Sequence, residues 1–367
     1  MKKFLVCVIL FTLFACSKNS VNNNSLSEKR SFAMTISDFP YANTTEAFDE
    51  SFALILQNTD MVMMHFDNGV PWQEALDGTT YPQGFLNELN LKKSKIPTSH
   101  SIYLAVTPIA FERNALANNI SDIGSEPLSP SWVTYAFDHQ NVVNAYINHC
   151  KFMINFFEPE FFAYAIEANM LMNTSPDKWS ALVNLMQQVY TSLKAEYPEL
   201  SIFFSMQAGW IYKFQSVQLQ KLPEVLPFTD FIAVSAYPFT EESDPNLLPE
   251  NYFSFIANLA PEKPFAITET SWPAEDVTLP YPILLQENEQ RQETYMKFLL
   301  SNMKNLNAKF VSWFFISDYD QFWESDMKNS PIAPTLRIWK DSGLYDGNLQ
   351  PRKAQMQWQE ELLKEKE

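Results

Sequence analysis

The chain has 367 residues and a formal net charge of −17, with 46% hydrophobic residues. That length supplies enough interior to hold a fold by packing alone, and so acidic a chain excludes nucleic acid and anionic polymers as partners while leaving neutral substrates open. With only 7 glycines there is no GxGxxG or GxxxxGK[ST] phosphate loop, and none of the 4 histidines pairs at a metal-ligand spacing, so no cofactor and no catalytic metal are expected.

Lys2 and Lys3 open the chain, ahead of an apolar run from Phe4 to Phe14 that is too short to span a bilayer as a stable anchor. The run stops at LFAC, Leu13 to Cys16, followed by SKNS. This resembles the lipobox of bacterial lipoproteins, although Phe14 is larger than the residue usual there. The resemblance implies removal of residues 1–15, lipidation of Cys16, and a lipid-anchored protein on the periplasmic or outer-surface side of the cell envelope. An ordinary secretory signal cut nearby is the other reading. Residues 16–30, rich in Ser, Asn and Lys, suit a flexible tether. Cys150 then remains as the sole cysteine of the folded part, so no intrachain disulfide is expected, and its amphipathic setting predicts a core thiol.

From residue 31 to 367 strand-like and helix-like segments alternate. Strands are predicted at Phe32–Ile36, Met61–Phe66, Ser101–Val106, Phe161–Ile166, Leu200–Met206, Asp230–Ala236, Phe265–Glu269 and Lys309–Ile316. Apolar runs of this kind fit strands buried on both faces of a parallel sheet. Between them, 3.6-residue periodicity and capping residues predict helices at Asn43–Gln57, Gln83–Lys95, Gln140–Phe157, Pro176–Tyr197, Phe214–Leu226, Pro249–Leu259 and Gln286–Leu306, with further helical segments around Pro334–Lys340 and Arg352–Lys366. Residues 110–138 are expected to form a long loop. Eight βα units in an α/β chain predict one (β/α)₈ barrel, a TIM barrel, as a single domain and a monomer. A doubly wound open sheet is the competing fold, weakened by the missing Gly-rich first turn.

Active sites of such barrels form at the carboxyl ends of the strands. Polar and aromatic residues at those ends include Asp67, Glu167, Asn169, Gln207, Trp210, Tyr237, Glu269, Trp272, Trp313 and Asp318. Glu167 and Glu269 directly end apolar strands four and seven, on roughly opposite sides of a barrel mouth. Burying a glutamate is costly, so each needs a partner or a task. Two carboxyls so placed suit glycosidic bond cleavage, one protonated to assist the leaving oxygen and one ionised to attack the anomeric carbon. A structural ion pair is the plainer alternative for either.

The pattern looks like glycoside hydrolase clan A, the retaining barrel enzymes with a catalytic glutamate after strand four and another after strand seven. The string ITETSWP is similar to the nucleophile strand of arabinogalactan endo-β-1,4-galactanases and their relatives, and DFIAVSAYPF, Asp230 to Phe239, resembles their sixth strand. The resemblance implies Glu167 as acid/base, Glu269 as nucleophile, Tyr237 as the hydrogen-bonding orienter of Glu269, and Trp313 as the aromatic platform beneath the sugar. It departs at one place: the family carries Asn immediately before the acid/base, whereas this chain has Ile166, with Asn169 two residues after Glu167 as a substitute 2-hydroxyl contact or merely a loop cap. Asp67, Gln207, Trp210 and Trp272 complete the expected glycan contacts. His65 beside Asp67 is a further candidate, and Tyr237, Trp210, Trp272 and Trp323 have packing or rim positions as their bland alternatives. The expected function is a retaining glycosidase acting on a neutral glycan; a non-catalytic carbohydrate-binding lipoprotein on the same scaffold is the alternative.

Overall fold

The structure, a computed structural model, describes residues 28–279, 283–330 and 333–367. The leader, Cys16 and most of the tether therefore lie outside the described residues. Arg30, assigned to the tether, is instead built into the fold. Its guanidinium is buried against Asp60 at 2.7 Å, and its backbone bridges to Lys366.

Eight parallel staves form a nearly closed ring. They are β1 Ala33–Ser37, β2 Met61–Phe66, β3 Ser101–Val106, β4 Phe161–Ala163, β5 in two pieces, Ser201–Phe203 and Ser205–Gln207, β6 Ile232–Ala236, β7 Phe265–Thr270 and β8 Phe310–Trp313. β5 is broken at Phe204: its first half, Ser201–Phe203, pairs with β4, and its second half, Ser205–Gln207, pairs with β6. β1 pairs with both β2 and β8, so the sheet returns on itself through the broken strand. Closure removes sheet edges and places every strand's carboxyl end at one mouth. The arrangement is the (β/α)₈ barrel, and the open-sheet alternative is excluded.

β4 and β8 are shorter than their apolar runs. Beyond Ala163 the Tyr164 carbonyl is taken by the Tyr146 hydroxyl at 2.7 Å, and Glu167 turns into a left-handed backbone conformation with φ +50. The strand is thus bent away before it reaches the glutamate. Between β3 and the helix Gln140–Phe157 the predicted loop carries a small hairpin, Asn119–Ser121 with Gly124–Glu126, and a short helix Pro130–Val133. Its prolines and glycines mark those turns.

Toward the amino ends of the strands the barrel is plugged by rings. Tyr103, Phe161, Phe203, Phe231 and Phe310 contact one another with centroids 4.9–5.8 Å apart. This plug leaves the opposite mouth to polar groups. Cys150 is fully buried in helix Gln140–Phe157, as its spacing predicts.

Candidate active site

The floor of the mouth is made by residues ending β2, β4, β6 and β7. Ser235 and Tyr237 lie two apart on and just beyond β6, so the pleat puts both side chains on one face. That face meets Glu269 on β7, where the register shifts between Ile267 and Glu269. The Tyr237 hydroxyl donates to Glu269 Oε2 at 2.9 Å. Ser235 Oγ lies 2.7 Å from Glu167 Oε1 and 3.3 Å from Glu269 Oε2. One hydroxyl therefore spans the two carboxyls. The Glu167 backbone N–H donates to Ser205 Oγ at 2.9 Å, which ties the bent end of β4 to β5.

Arg113, from the loop after β3, enters the same floor. It too has a left-handed backbone, φ +54, and is almost fully buried. Its guanidinium grips Asp67 bidentately at 2.7 and 2.9 Å and reaches Glu167 Oε2 at 3.2 Å. The ion-pair alternative for Glu167 is thus realised geometrically. Glu269 differs: among the described residues its nearest basic partner is His65, with Nδ1 3.8 Å from Oε1. Burial holds His65 down to about 3, so the ring is neutral, and its Nδ1 has no hydrogen-bond partner among the described residues. Burial, reinforced by the charge of Glu167, pushes the Glu269 carboxyl up to about 8, against the opposing pull of Arg113 and the Tyr237 hydrogen bond. Asp67 and Glu167 share one guanidinium, and the buried Glu269 has none within ion-pair distance among the described residues, so its carboxyl is the one held toward the protonated form.

Above this floor opens a cavity of about 520 Å³. Asp67, Glu167, Gln207, Trp210, Tyr237 and Glu269 all line it, as does His65. Gln207 is partly committed, since its side-chain oxygen caps the next helix by accepting from Trp210 N–H at 2.7 Å.

Three expected contacts do not reach the cavity. Asn169 is fully buried; its amide donates to the Gln207 carbonyl and to Gln218, and accepts from the Gln207 N–H at 2.7 Å. It locks two strand ends together and does not replace the missing Asn of position 166, where Ile166 is core. Trp272 is fully buried, donating to Glu287 at 2.8 Å and packing on Tyr295. Trp313 is likewise buried, donating to the Ser342 carbonyl at 3.0 Å, and its ring sits near Tyr295 on the helix side of the sheet. Side chains alternate across a sheet, so it is the next residue, Phe314, that faces the mouth. Trp323 also stands away from the cavity, with Arg337 over its ring at 5.5 Å.

The aromatic wall that does exist joins Phe39, Phe314, Phe315 and Trp339, with Tyr237 at its foot and Phe111 at its rim. Of these only Tyr237 was singled out from sequence. Arg113 and Ser235 were missed as well. Ser235 had a signal: a small polar residue two positions before Tyr237 on an otherwise apolar strand. Arg113 gave none, because its loop has no periodicity to say where a side chain points. Asp318 lies buried away from the cavity against Arg352, Glu275 and Asp341, an acidic group already neutralised by Arg352, Arg337 and Lys340.

No protein-family model matches the chain, and no curated protein matches it in sequence. Solved structures do match in fold. A GH5_18 protein from Bifidobacterium longum subsp. longum, determined in complex with Manb1-4GlcNAc, superposes with a TM-score of 0.62 at 14% identity, covering 90% of this chain and 77% of that one. The exo-beta-1,4-mannosidase Op5Man5 from Opitutaceae bacterium strain TAV5 gives 0.61 at 12% identity, covering 92% of this chain and 60% of its own. Xylanase 10B from Thermotoga maritima gives 0.57 at 12%, with 90% and 95% covered. At such identities the likeness establishes the shared barrel.

Proposed function

We propose that this chain is a retaining glycoside hydrolase acting on a neutral polysaccharide or oligosaccharide. The observation that carries this reading is the pair Glu167 and Glu269, at the ends of β4 and β7, close enough for one serine hydroxyl to touch both. Retaining enzymes hold their carboxyls about 5–5.5 Å apart, whereas inverting ones need roughly 6.5–9.5 Å to admit a water between acid and base. Glu269 attacks the anomeric carbon and forms a glycosyl ester. Glu167 protonates the departing oxygen, then removes a proton from the water that hydrolyses the ester. The Tyr237 hydroxyl orients Glu269 and stabilises its charge. Asp67, Gln207 and Trp210 stand where sugar hydroxyls and ring faces are to be held, and the Phe314–Trp339 wall supplies the flat apolar surface first assigned to Trp313.

The barrel neighbours point to β-1,4-linked mannosides as first substrates, and the ITETSWP resemblance adds β-1,4-galactan. We place the enzyme as a monomer on a lipid at Cys16 in the cell envelope; loss of membrane-fraction protein and of incorporated labelled fatty acid in Cys16→Ala tests that placement.

Arg113 against Glu167, together with Ile166, favours a second reading: a barrel that binds glycan without cutting it. One experiment divides the two. The 2-fluoro glycosyl inactivators of mannose, galactose, glucose and xylose are incubated with the protein and the digest is weighed. A glycosyl adduct on the peptide containing Glu269 is expected for the hydrolase. An unmodified Glu269 in a protein that still retains mannan or galactan oligosaccharides on a column gives the binder.

A further inference from the structure

A serine hydroxyl has one hydrogen, and an ionised carboxylate has none to give. With both carboxyls ionised that hydrogen is shared, fully with one and weakly with the other, whereas a proton on one glutamate lets Ser235 Oγ make two full bonds, donating to one and accepting from the other. The shorter contact, 2.7 Å, runs to Glu167 Oε1, whose partner oxygen already accepts from Arg113. Glu167 thus receives donors on both oxygens. The longer contact, 3.3 Å, runs to Glu269 Oε2, and among the described residues no lysine or arginine pairs with that carboxyl. A hydroxyl at that oxygen can donate to Ser235 while accepting from Tyr237. The groups facing the pair divide the same way: Arg113 and Asp67 stand on the Glu167 side, while neutral His65 and the phenol of Tyr237 stand beside Glu269.

We propose that Ser235 is a proton relay between the two carboxyls: the resting proton sits on Glu269, and the hydroxyl passes it to Glu167 as the substrate's glycosidic oxygen arrives. The proposal rests on the hydrolase reading of the same pair. In the step, Glu269 Oε2 gives its proton to Ser235 Oγ while Ser235 gives its own to Glu167 Oε1. One O–H bond breaks and one forms at each end, and no charge leaves the site. The result is the reactive arrangement, with Glu269 ionised beneath Tyr237 and Glu167 carrying the acid proton. Arg113 opposes this form, so the proton crosses only when an acceptor oxygen stands ready beside Glu167. Burial, which raises the Glu269 carboxyl, supports the same resting state. The relay also gives Arg113 a purpose on an acid/base residue: it keeps the leaving-group proton in reserve until the cleft is filled. Ser235 acts through the glutamates and is a positioning residue.

The test has a resting arm and a kinetic arm. In the resting arm, the protein is made with glutamate labelled by carbon-13 at the side-chain carboxyl, and its neutral-pH NMR spectrum is compared with those of Glu167→Gln and Glu269→Gln. A protonated carboxyl signal that disappears in Glu269→Gln, and that persists in Glu167→Gln with its titration moved to lower pH because the charge of Glu167 no longer holds it up, is expected. A signal kept in Glu269→Gln and absent at every pH from 5 to 8 in Glu167→Gln, or no signal that depends on Glu269, overturns the inference whether or not any glycan is cleaved. In the kinetic arm, Ser235→Ala is assayed on a glycoside with a sugar leaving group and on the corresponding glycosyl fluoride, which needs no strong acid. Loss of the relay leaves Glu269 protonated at neutral pH and lowers kcat about 100-fold on both, the scale of a general acid; on the fluoride, which needs only the ionised Glu269, the loss is recovered as pH rises past about 8, and on the glycoside it is not. A fluoride loss that does not change with pH means that the serine only shapes the site, and no loss on either substrate means that the proton takes another route; both sink the relay. If the wild type cleaves none of these compounds, the hydrolase reading fails by itself and the NMR arm still decides where the proton rests.

Discussion

At the scale of single residues, the site is governed by which carboxyl owns a cation. Asp67 and Glu167 share Arg113, and Glu269 has a phenol and a hydroxyl instead. Tyr237 is the point where this balance can be tested. Its hydrogen bond pulls the Glu269 carboxyl down while burial pushes it up to about 8. In the proposed mechanism one proton serves the pair, so activity is expected to fail on the alkaline side when that proton is lost, near pH 8. Tyr237→Phe removes the downward pull, so the alkaline limb of kcat/KM moves to higher pH, while kcat falls roughly 10- to 100-fold for the lost charged hydrogen bond. A limb that stays in place would separate Tyr237 from Glu269. The two glutamates and Tyr237 were legible in the sequence because a strand end announces itself: an apolar run stops at a polar residue. Trp272 and Trp313 misled because a tryptophan near a strand end satisfies that rule whichever face it occupies, and one step of the pleat sends it to the helix layer. Arg113 was hidden because its partners come from two other strands.

At the scale of elements, the helices Gln83–Lys95 and Gln140–Phe157 and the strands Met61–Phe66 and Ser101–Val106 have the boundaries their periodicity predicts. Each is bounded by local signals, whether a cap, a proline or the end of an apolar run. The broken β5 and the short β4 depend on long-range partners: Tyr146 captures the Tyr164 carbonyl, and the ladder of β4 passes across the gap from Phe203 to Ser205 through Tyr164 and Ala165. No local pattern encodes such a break. The ring is sealed where its ends meet, and there the helix Lys353–Leu362 matters. Trp358 is fully buried and donates to the Asn58 carbonyl at 2.7 Å, while Gln355 reaches the Asn58 side chain. Trp358→Ala empties a large volume and leaves that carbonyl without its donor. It is expected to cost about 3–5 kcal/mol, read as a lower urea midpoint with the slope unchanged. A loss under about 1 kcal/mol would mean that the last helix is only laid on the barrel.

At the scale of the whole molecule, the unusual feature is the number of acidic groups folded into dry places. Glu269 is pushed up to about 8, Glu287 to about 7 and Asp318 to about 7, burial being the main cause in each case. The unfolded chain releases these protons near the ordinary carboxyl values of 4.5 and 3.8, while the folded chain keeps them. A group that binds more protons when folded loses stability as pH rises between its two values. Two buried histidines work in the other direction. Burial lowers His65 and His149 to about 3 from 6.5, so the unfolded chain binds their protons first and stability grows as pH rises through that interval. Above pH 6.5 the histidines are neutral in both states and drop out, leaving only the carboxyls. Repulsion within a chain of net charge −17 acts in the same sense as the carboxyls. Thermal stability is therefore expected to peak near pH 5 and to fall by on the order of a few kcal/mol toward pH 8. Calorimetric melts across this range check it, and a melting temperature that climbs from pH 6 to pH 8 would contradict it. Glu269→Gln sharpens the test, because its amide stays neutral at every pH: the variant melts close to the wild type at pH 5 and above it at pH 8. That divergence ties a chemical requirement to a stability cost, since the carboxyl that must ionise in the proposed mechanism is one the fold holds firmly against ionising.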